Sequence, residues 1–314
     1  MSTEMVEKDE DWGGPAVYWS RVAKSDGFDI EGIPRTPYTV GLLAYNCASM
    51  PEDLMVKHYA MLGLHRYNML EGTSLKLHTL LKYNRLQNVV SSYFMTLNAR
   101  NSDDRSRQEI FQVRIDERKI NSLDLTCSLA RPKDKKDDEV TTKKPFMAHF
   151  HGCAVPDSDL FDGELPDWPS DEALNDTKRF YVLTSSDRQA NDWINLYLQL
   201  LICANDPMSA QIKPKFMSDL QILKVAIETH IGDAKPKERL EAKCANVYIT
   251  FKGLDTIPMI DEIGGEHVRK AIVRRVISPG FLTIVGQHWS GINTKKSAKN
   301  EEKARRQRKR YRFG

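Results

Sequence analysis

The stretch from Tyr67 to Ile115 constrains the fold most, because it reads as a long helix that ends and feeds an antiparallel ladder. Leu75, Leu77 and Thr79 share one face at a period of two, and so do Tyr93, Met95, Leu97 and Ala99. Phe111, Val113 and Ile115 form a third set, and Ser122 to Leu129 a fourth. Gln87-Asn88-Val89-Val90-Ser91 sits where the first strand should turn. Upstream, Leu54, Met55, Tyr59, Leu62 and Met69 recur at helical spacing, with His58 and His65 bordering that face. Ser49 and Glu52 read as a capping box, Pro51 suits the first turn, and Glu71-Gly72-Thr73 breaks the helix. The spacing therefore predicts a helix over 51–70. A short sheet with one long helix must wrap around it to bury both apolar faces, so the expected class is α+β.

The rest of the chain divides by composition. Residues 1–25 are expected to be a disordered acidic terminus with Trp12 and Trp19 as anchors, and 26–130 to be the first domain. The charged, apolar-free run 131–139 predicts a charged linker over 131–144. A second β-rich domain is expected over 145–290, then a disordered basic tail over 291–314. Within the second half, Ile194, Leu196, Leu198, Leu200 and Ile202 alternate cleanly and predict a strand over 193–203. Val225 and Ile227 suggest another, as do Val247, Ile249 and Phe251, then 271–277 and 281–285. A short helix is expected from Lys215 to Ile222. No convincing repeat of the first half is evident in the second, and a diverged second copy of the fold stays open as the alternative.

Charge is distributed unevenly. The net charge is +3, but residues 295–314 alone carry +8, which leaves a mildly acidic body. Lys295 and Lys296, then Arg305, Arg306, Arg308, Lys309, Arg310 and Arg312, form two basic clusters spaced like a bipartite nuclear-import signal. Such a tail implies an import receptor as partner and non-specific contact with nucleic acid. No apolar run reaches the ~18 residues of a membrane span, and the acidic N-terminus does not read as a secretory leader. The five cysteines, Cys47, Cys127, Cys153, Cys203 and Cys244, are scattered and are expected to be free thiols in a reducing compartment.

Chemistry-bearing patterns are few. His149, His151 and Cys153 alternate as strand residues that share a face would, with Asp157, Asp159 or Asp162 as a fourth ligand. Their spacing matches no zinc pattern, so no metal is expected. The acidic run 157–164 lacks the ligand spacing of a calcium loop. No nucleophile elbow, P-loop, dinucleotide fingerprint or His-Glu-x-x-His motif occurs, so neither an enzyme nor a cofactor is expected.

The helix, the strand spacing and the turn holding Gln87, Val89 and Ser91 resemble the cystatin fold, in which a helix is wrapped by an antiparallel sheet. In inhibitory cystatins the matching turn is Gln-x-Val-x-Gly. Here Ser91 stands where the glycine would be, and a serine resists the positive φ a tight turn asks for. The Pro-Trp hairpin is also replaced by charged residues 116–119. The resemblance is thus to a scaffold whose inhibitory wedge is degenerate. Protease inhibition in the cytosol is the alternative reading.

Longer blocks narrow the likeness. Residues 63–73, 165–169, 173–176, 178–182 and 247–253 resemble a crucifer-expanded plant family with cystatin-like domains, whose best-known named member is the Male Sterile Five protein. That resemblance implies a nuclear, chromatin-associated protein of early meiosis and male fertility. It would be non-enzymatic and act through nuclear protein or chromatin partners.

Overall fold

Asp53, rather than Ser49, opens the long helix. The Asp53 carboxylate accepts from the backbone N–H groups of Met55 (3.0 Å) and Val56 (3.3 Å), while the Ser49 hydroxyl donates to the Asn46 carbonyl in the preceding turn. The computed structural model describes residues 14–34, 41–49, 53–101, 108–134, 146–205, 219–230, 235–253 and 268–289. The helix runs Leu54–Glu71 and ends on Gly72, whose φ of 66° gives the left-handed cap expected there.

Among the described residues, ten strands form one antiparallel sheet. They are β1 Leu42–Asn46, β2 Leu75–Leu86, β3 Ser92–Asn101, β4 Gln108–Glu117, β5 Leu123–Pro132, β6 Phe180–Val182, β7 Gln221–Glu228, β8 Cys244–Lys252, β9 Arg269–Ser278 and β10 Phe281–Trp289. The helices are α1 Pro15–Ala23, α2 Leu54–Glu71, α3 Ser185–Ala190, α4 Asp192–Asn205 and α5 Pro236–Leu240. The sheet order is β1-β2-β3-β4-β5-β10-β9-β8-β7-β6. The protein is α+β and dominated by this sheet.

Four expectations need correction. The predicted strand over 193–203 is α4. Its buried set includes Tyr197, Leu201, Cys203 and Ala204 as well as the alternating residues. A helix buried on most of its circumference, with Asn195 exposed and Gln199 part-exposed, mimics alternation in its apolar positions. Next, Ile222 belongs to β7, not to a helix from Lys215. Third, residues 14–25 are not disordered: α1 buries Tyr18 and Val22, and Trp19 stacks on Phe146 at 6.1 Å. Finally, the linker begins two residues late, because Arg131 and Pro132 end β5. Trp12 and most of the linker lie outside the described residues.

The expected halves share one layer. Strand β5 pairs with β10 from Cys127 opposite Leu282 to Leu123 opposite Gly286. The succession β1-α2-β2-β3-β4-β5 recurs as β6-α4-β7-β8-β9-β10, with α3 and α5 as the inserts among the described residues. Because β5 and β10 are antiparallel at the centre, the two copies are related by a pseudo-twofold axis normal to the sheet. That axis keeps both helices on one face, and they share a single core that includes Tyr59, Leu62, Phe111, Tyr197, Leu201, Ile249 and Ile284. The structure thus holds a repeat that the residues do not reveal. The other face is covered differently in each half. In the first, α1 and residues 28–30 pack on Leu42, Leu86 and Phe94. In the second, Phe161, Leu174 and Phe180 pack on Val276, Tyr248 and Ile272.

Candidate functional site

Period-two register sends Tyr93, Met95 and Ile115 towards the helices and their neighbours Ser92, Phe94 and Asp116 to the other face. It also places the β2–β3 turn, 87–91, beside the β4–β5 turn, 118–122. Two hydrogen bonds join these turns: Ser91 N–H donates to Glu117 Oε2 (2.8 Å), and Glu117 N–H donates to the Ser91 carbonyl (2.9 Å). The Tyr59 hydroxyl donates to Glu117 Oε1 at 2.9 Å, tying both to α2. Burial and the adjacent Glu117 hold the Tyr59 phenol well above its ordinary pKa, so it stays a donor.

Ser91 is fully buried, and its hydroxyl donates to the Asn88 carbonyl at 2.9 Å. It does not take positive φ. Among the described non-glycine residues only Asp26 and Asn121 do. The expected strain at Ser91 is therefore absent, because this turn needs no left-handed residue there. Gln87 begins the turn, and Val89 at its tip is 75% exposed. On the neighbouring turn Ile120 is 59% exposed.

On the other face, a buried carboxylate gathers a network. Asp116 accepts from Ser92 Oγ (2.5 Å), Arg114 Nη2 (2.9 Å), Ser128 Oγ (3.1 Å) and Phe150 N–H (3.1 Å). His149 Nδ1 lies 2.7 Å from Ser92 Oγ. Ser92's one proton goes to Asp116, so His149 Nδ1–H must donate and Nε2 is left as an acceptor. Ser, His and Asp meet here in the wrong order for a nucleophile: the carboxylate holds the serine rather than the histidine, and Ser92 is fully buried. The network clips residues 146–154 to the sheet, helped by Thr126 Oγ1 donating to the Gly152 carbonyl (2.9 Å). Burial lowers the His149 pKa, against the pull of Asp116.

His149 and His151 are in ring contact at 4.5 Å, but their segment is not a strand. The shared-face argument for Cys153 therefore fails, and Cys153 is exposed. Among the described residues no three His, Cys, Asp or Glu side chains could hold a metal ion. All five cysteines are free thiols.

The seam between α2 and α4 holds two further pairs that the sequence reading missed. His58 Nδ1 lies 3.7 Å from Cys203 Sγ. Burial pushes the histidine pKa down to about 4 and the thiol up to about 12, so both are neutral and the pair is no thiolate–imidazolium couple. His65 Nε2 is 2.8 Å from the Tyr197 hydroxyl, with the histidine pushed down to about 3 by burial and by Arg275. Arg275 is fully buried. It donates to the Tyr197 hydroxyl and the carbonyls of Leu240 and Ala242, and it stacks on Trp193 at 4.8 Å. The pair Arg274-Arg275 inside an apolar strand pattern was the available signal. In the second half, Glu228 is fully buried and accepts from Arg179, Asn246 (2.9 Å) and Tyr248 (2.6 Å). Arg274 donates to the carbonyls of Asp162, Gly163 and Glu164, which fixes the crossing segment. The tail residues Lys295, Lys296, Arg305, Arg306, Arg308, Lys309, Arg310 and Arg312 lie outside the described residues. No described helix is long and apolar enough to cross a membrane.

Comparison with known proteins places these features. Residues 165–284 match the family model described as Protein MS5. A putative UPF0725 protein of Arabidopsis thaliana is 49% identical over 307 residues, which covers 94% of this chain and 94% of that protein. A second Arabidopsis UPF0725 protein is 50% identical over 289 residues, covering 88% of this chain and 94% of its own length. The crystal structure of MS5 from Brassica napus superposes with a TM-score of 0.57 at 32% identity, over 76% of this chain and 99% of that one.

Proposed function

Because the chain belongs to the plant UPF0725 family, with MS5 among its named members, we propose that it is a non-enzymatic nuclear interaction protein serving early meiosis and male fertility. The likeness to Brassica MS5, at 32% identity over nearly all of that chain, is the observation that carries this reading. The +8 charge of residues 295–314 supports import and contact with chromatin. The neutral His58–Cys203 pair and the sealed Ser92 support a role without catalysis. Each copy of the strand–helix–four-strand unit serves as a cystatin-like scaffold for protein contacts, helix against antiparallel sheet.

The test is to image fluorescent fusions in developing anthers, once with the intact chain and once lacking residues 295–314. The expected outcome is signal on meiotic chromosomes that is lost with the tail. Diffuse signal from both chains would overturn the nuclear reading.

A further inference from the structure

The sheet ends in β1 on one side and β6 on the other, and the chain treats these two edges differently. A free strand edge offers unpaired N–H and C=O groups to any other chain, and folded proteins blunt it with short strands, lysine, proline or bulges. Strand β6 is blunted. It is three residues long, and its Phe180 N–H donates to the Asp176 carbonyl at 2.8 Å. Strand β1, Leu-Leu-Ala-Tyr-Asn over 42–46, has none of these devices and carries no charge.

The register decides which groups of β1 face outward. Cys47 N–H donates to the Leu81 carbonyl at 3.1 Å, so Leu43, Tyr45 and Cys47 make the ladder to β2. Leu42, Ala44 and Asn46 therefore turn their backbone groups to the open side. Two of those groups are already satisfied. Leu42 N–H donates to the Tyr18 hydroxyl at 2.9 Å, and the Asn46 carbonyl accepts from Ser49 N–H at 3.3 Å. Four have no partner among the described residues: Leu42 C=O, Ala44 N–H, Ala44 C=O and Asn46 N–H. Ala44 and Asn46 are exposed.

This set is self-complementary. When a second β1 lies antiparallel with Ala44 opposite Ala44, the two alanines exchange N–H and C=O, and each Asn46 N–H meets a Leu42 carbonyl. The bond that this register omits, from Leu42 N–H to the Asn46 carbonyl, joins the two groups that Tyr18 and Ser49 already satisfy. No like charges meet across the axis. Such a contact is the same on both copies and closes on itself, so it gives a pair rather than a fibre.

We propose that two copies of this chain join through β1 about a twofold axis at Ala44, which continues the sheet from one copy into the other. This goes beyond the interaction reading above and is tested in solution, independently of nuclear import.

The contact is narrow, so the expected Kd is ~10–100 µM. The experiment is sedimentation equilibrium of the full chain from ~2 to ~200 µM, in ~0.3 M salt to screen its like-charged termini. A monomer–dimer equilibrium is expected. The two Ala44 Cα atoms would lie about 5.5 Å apart. A44K alone and A44E alone should therefore each weaken association at least ~10-fold by like-charge contact. An equimolar mixture of A44K and A44E should associate at least as well as the parent. Unchanged thermal melts show that both variants are folded. Three results would overturn the proposal. A parent that stays monomeric to ~200 µM would leave the edge to an extended segment of another protein. Association indifferent to A44K and A44E would place the contact on a different surface. A mixture no better than the single variants would mean that residue 44 does not face its own copy.

Discussion

Gly63 sets how closely α2 lies on the sheet, and replacing it tests the packing of the whole first half. A Cβ at this position would sit 2.2 Å from Val113 Cγ1, 2.6 Å from Cγ2 and 2.9 Å from Cβ. Ordinary contact begins near 3.4 Å, so G63A asks for ~1 Å of movement in a close-packed interior. Val113 is fully buried, and α2 is backed by α4 through the His65–Tyr197 and His58–Cys203 contacts, so the helix cannot lift freely. Overpacking of this kind costs about 1–3 kcal/mol, and the upper end applies here. Alanine returns about 1 kcal/mol of helix propensity. The net expectation is a loss of ~2 kcal/mol, or a melting temperature lower by ~3 °C for a chain of this size. V113A alone should also destabilise, through two lost methyl groups and a cavity. In the V113A background, however, G63A fills that space and should stabilise by ~1 kcal/mol, giving a coupling of ~3 kcal/mol. The assay is thermal unfolding followed by circular dichroism for both single variants and the double variant. A G63A protein more stable than the parent, or strictly additive effects, would refute the close approach of α2 to β4.

Stability should fall on acidification below pH ~6.5. His58 and His65 have folded-state pKa values pushed down to about 4 and about 3 from 6.5, so the unfolded chain binds protons that the folded chain refuses. Their contribution is complete above 6.5 and is lost as pH falls towards the folded values. H58Q should flatten the slope of stability against pH between ~4.5 and ~6 by about 1.4 kcal/mol per pH unit, and an unaltered slope in urea titrations would count against a buried neutral His58. D116N should cost ~3 kcal/mol by leaving the largely buried Arg114 without its anion, and hydrogen exchange should show residues 146–154 losing protection first. Uniform loss across the sheet would instead mean the network does not clip that segment. D53A should cost about 1 kcal/mol through the lost N-cap, with amide exchange rising at Met55 and Val56.

What the sequence determined is local. The period-two runs of β3 and β4, the break at Gly72 and the turn after Leu86 depend on neighbours a few residues apart and stand in the structure, whereas in β2 register shifts between Leu77 and Thr79 and between Leu80 and Lys82 leave Thr79 exposed and put Leu80 in the core. Cap assignment failed where two candidates competed, and Asp53 displaced Ser49 by lying one residue before Leu54. Only the tertiary structure decided the rest. Helix α4 was legible as a strand because burial against both α2 and the sheet erased the polar face that marks an amphipathic helix. The joining of the halves depends on β5 meeting β10 across about 150 residues of chain, and nothing in either strand names its partner. His58 and Cys203 lie 145 residues apart in sequence, and His65 and Arg275 lie further apart still. Residues that look ordinary in their own segments became a neutral seam and a buried cation because the sheet brought them together.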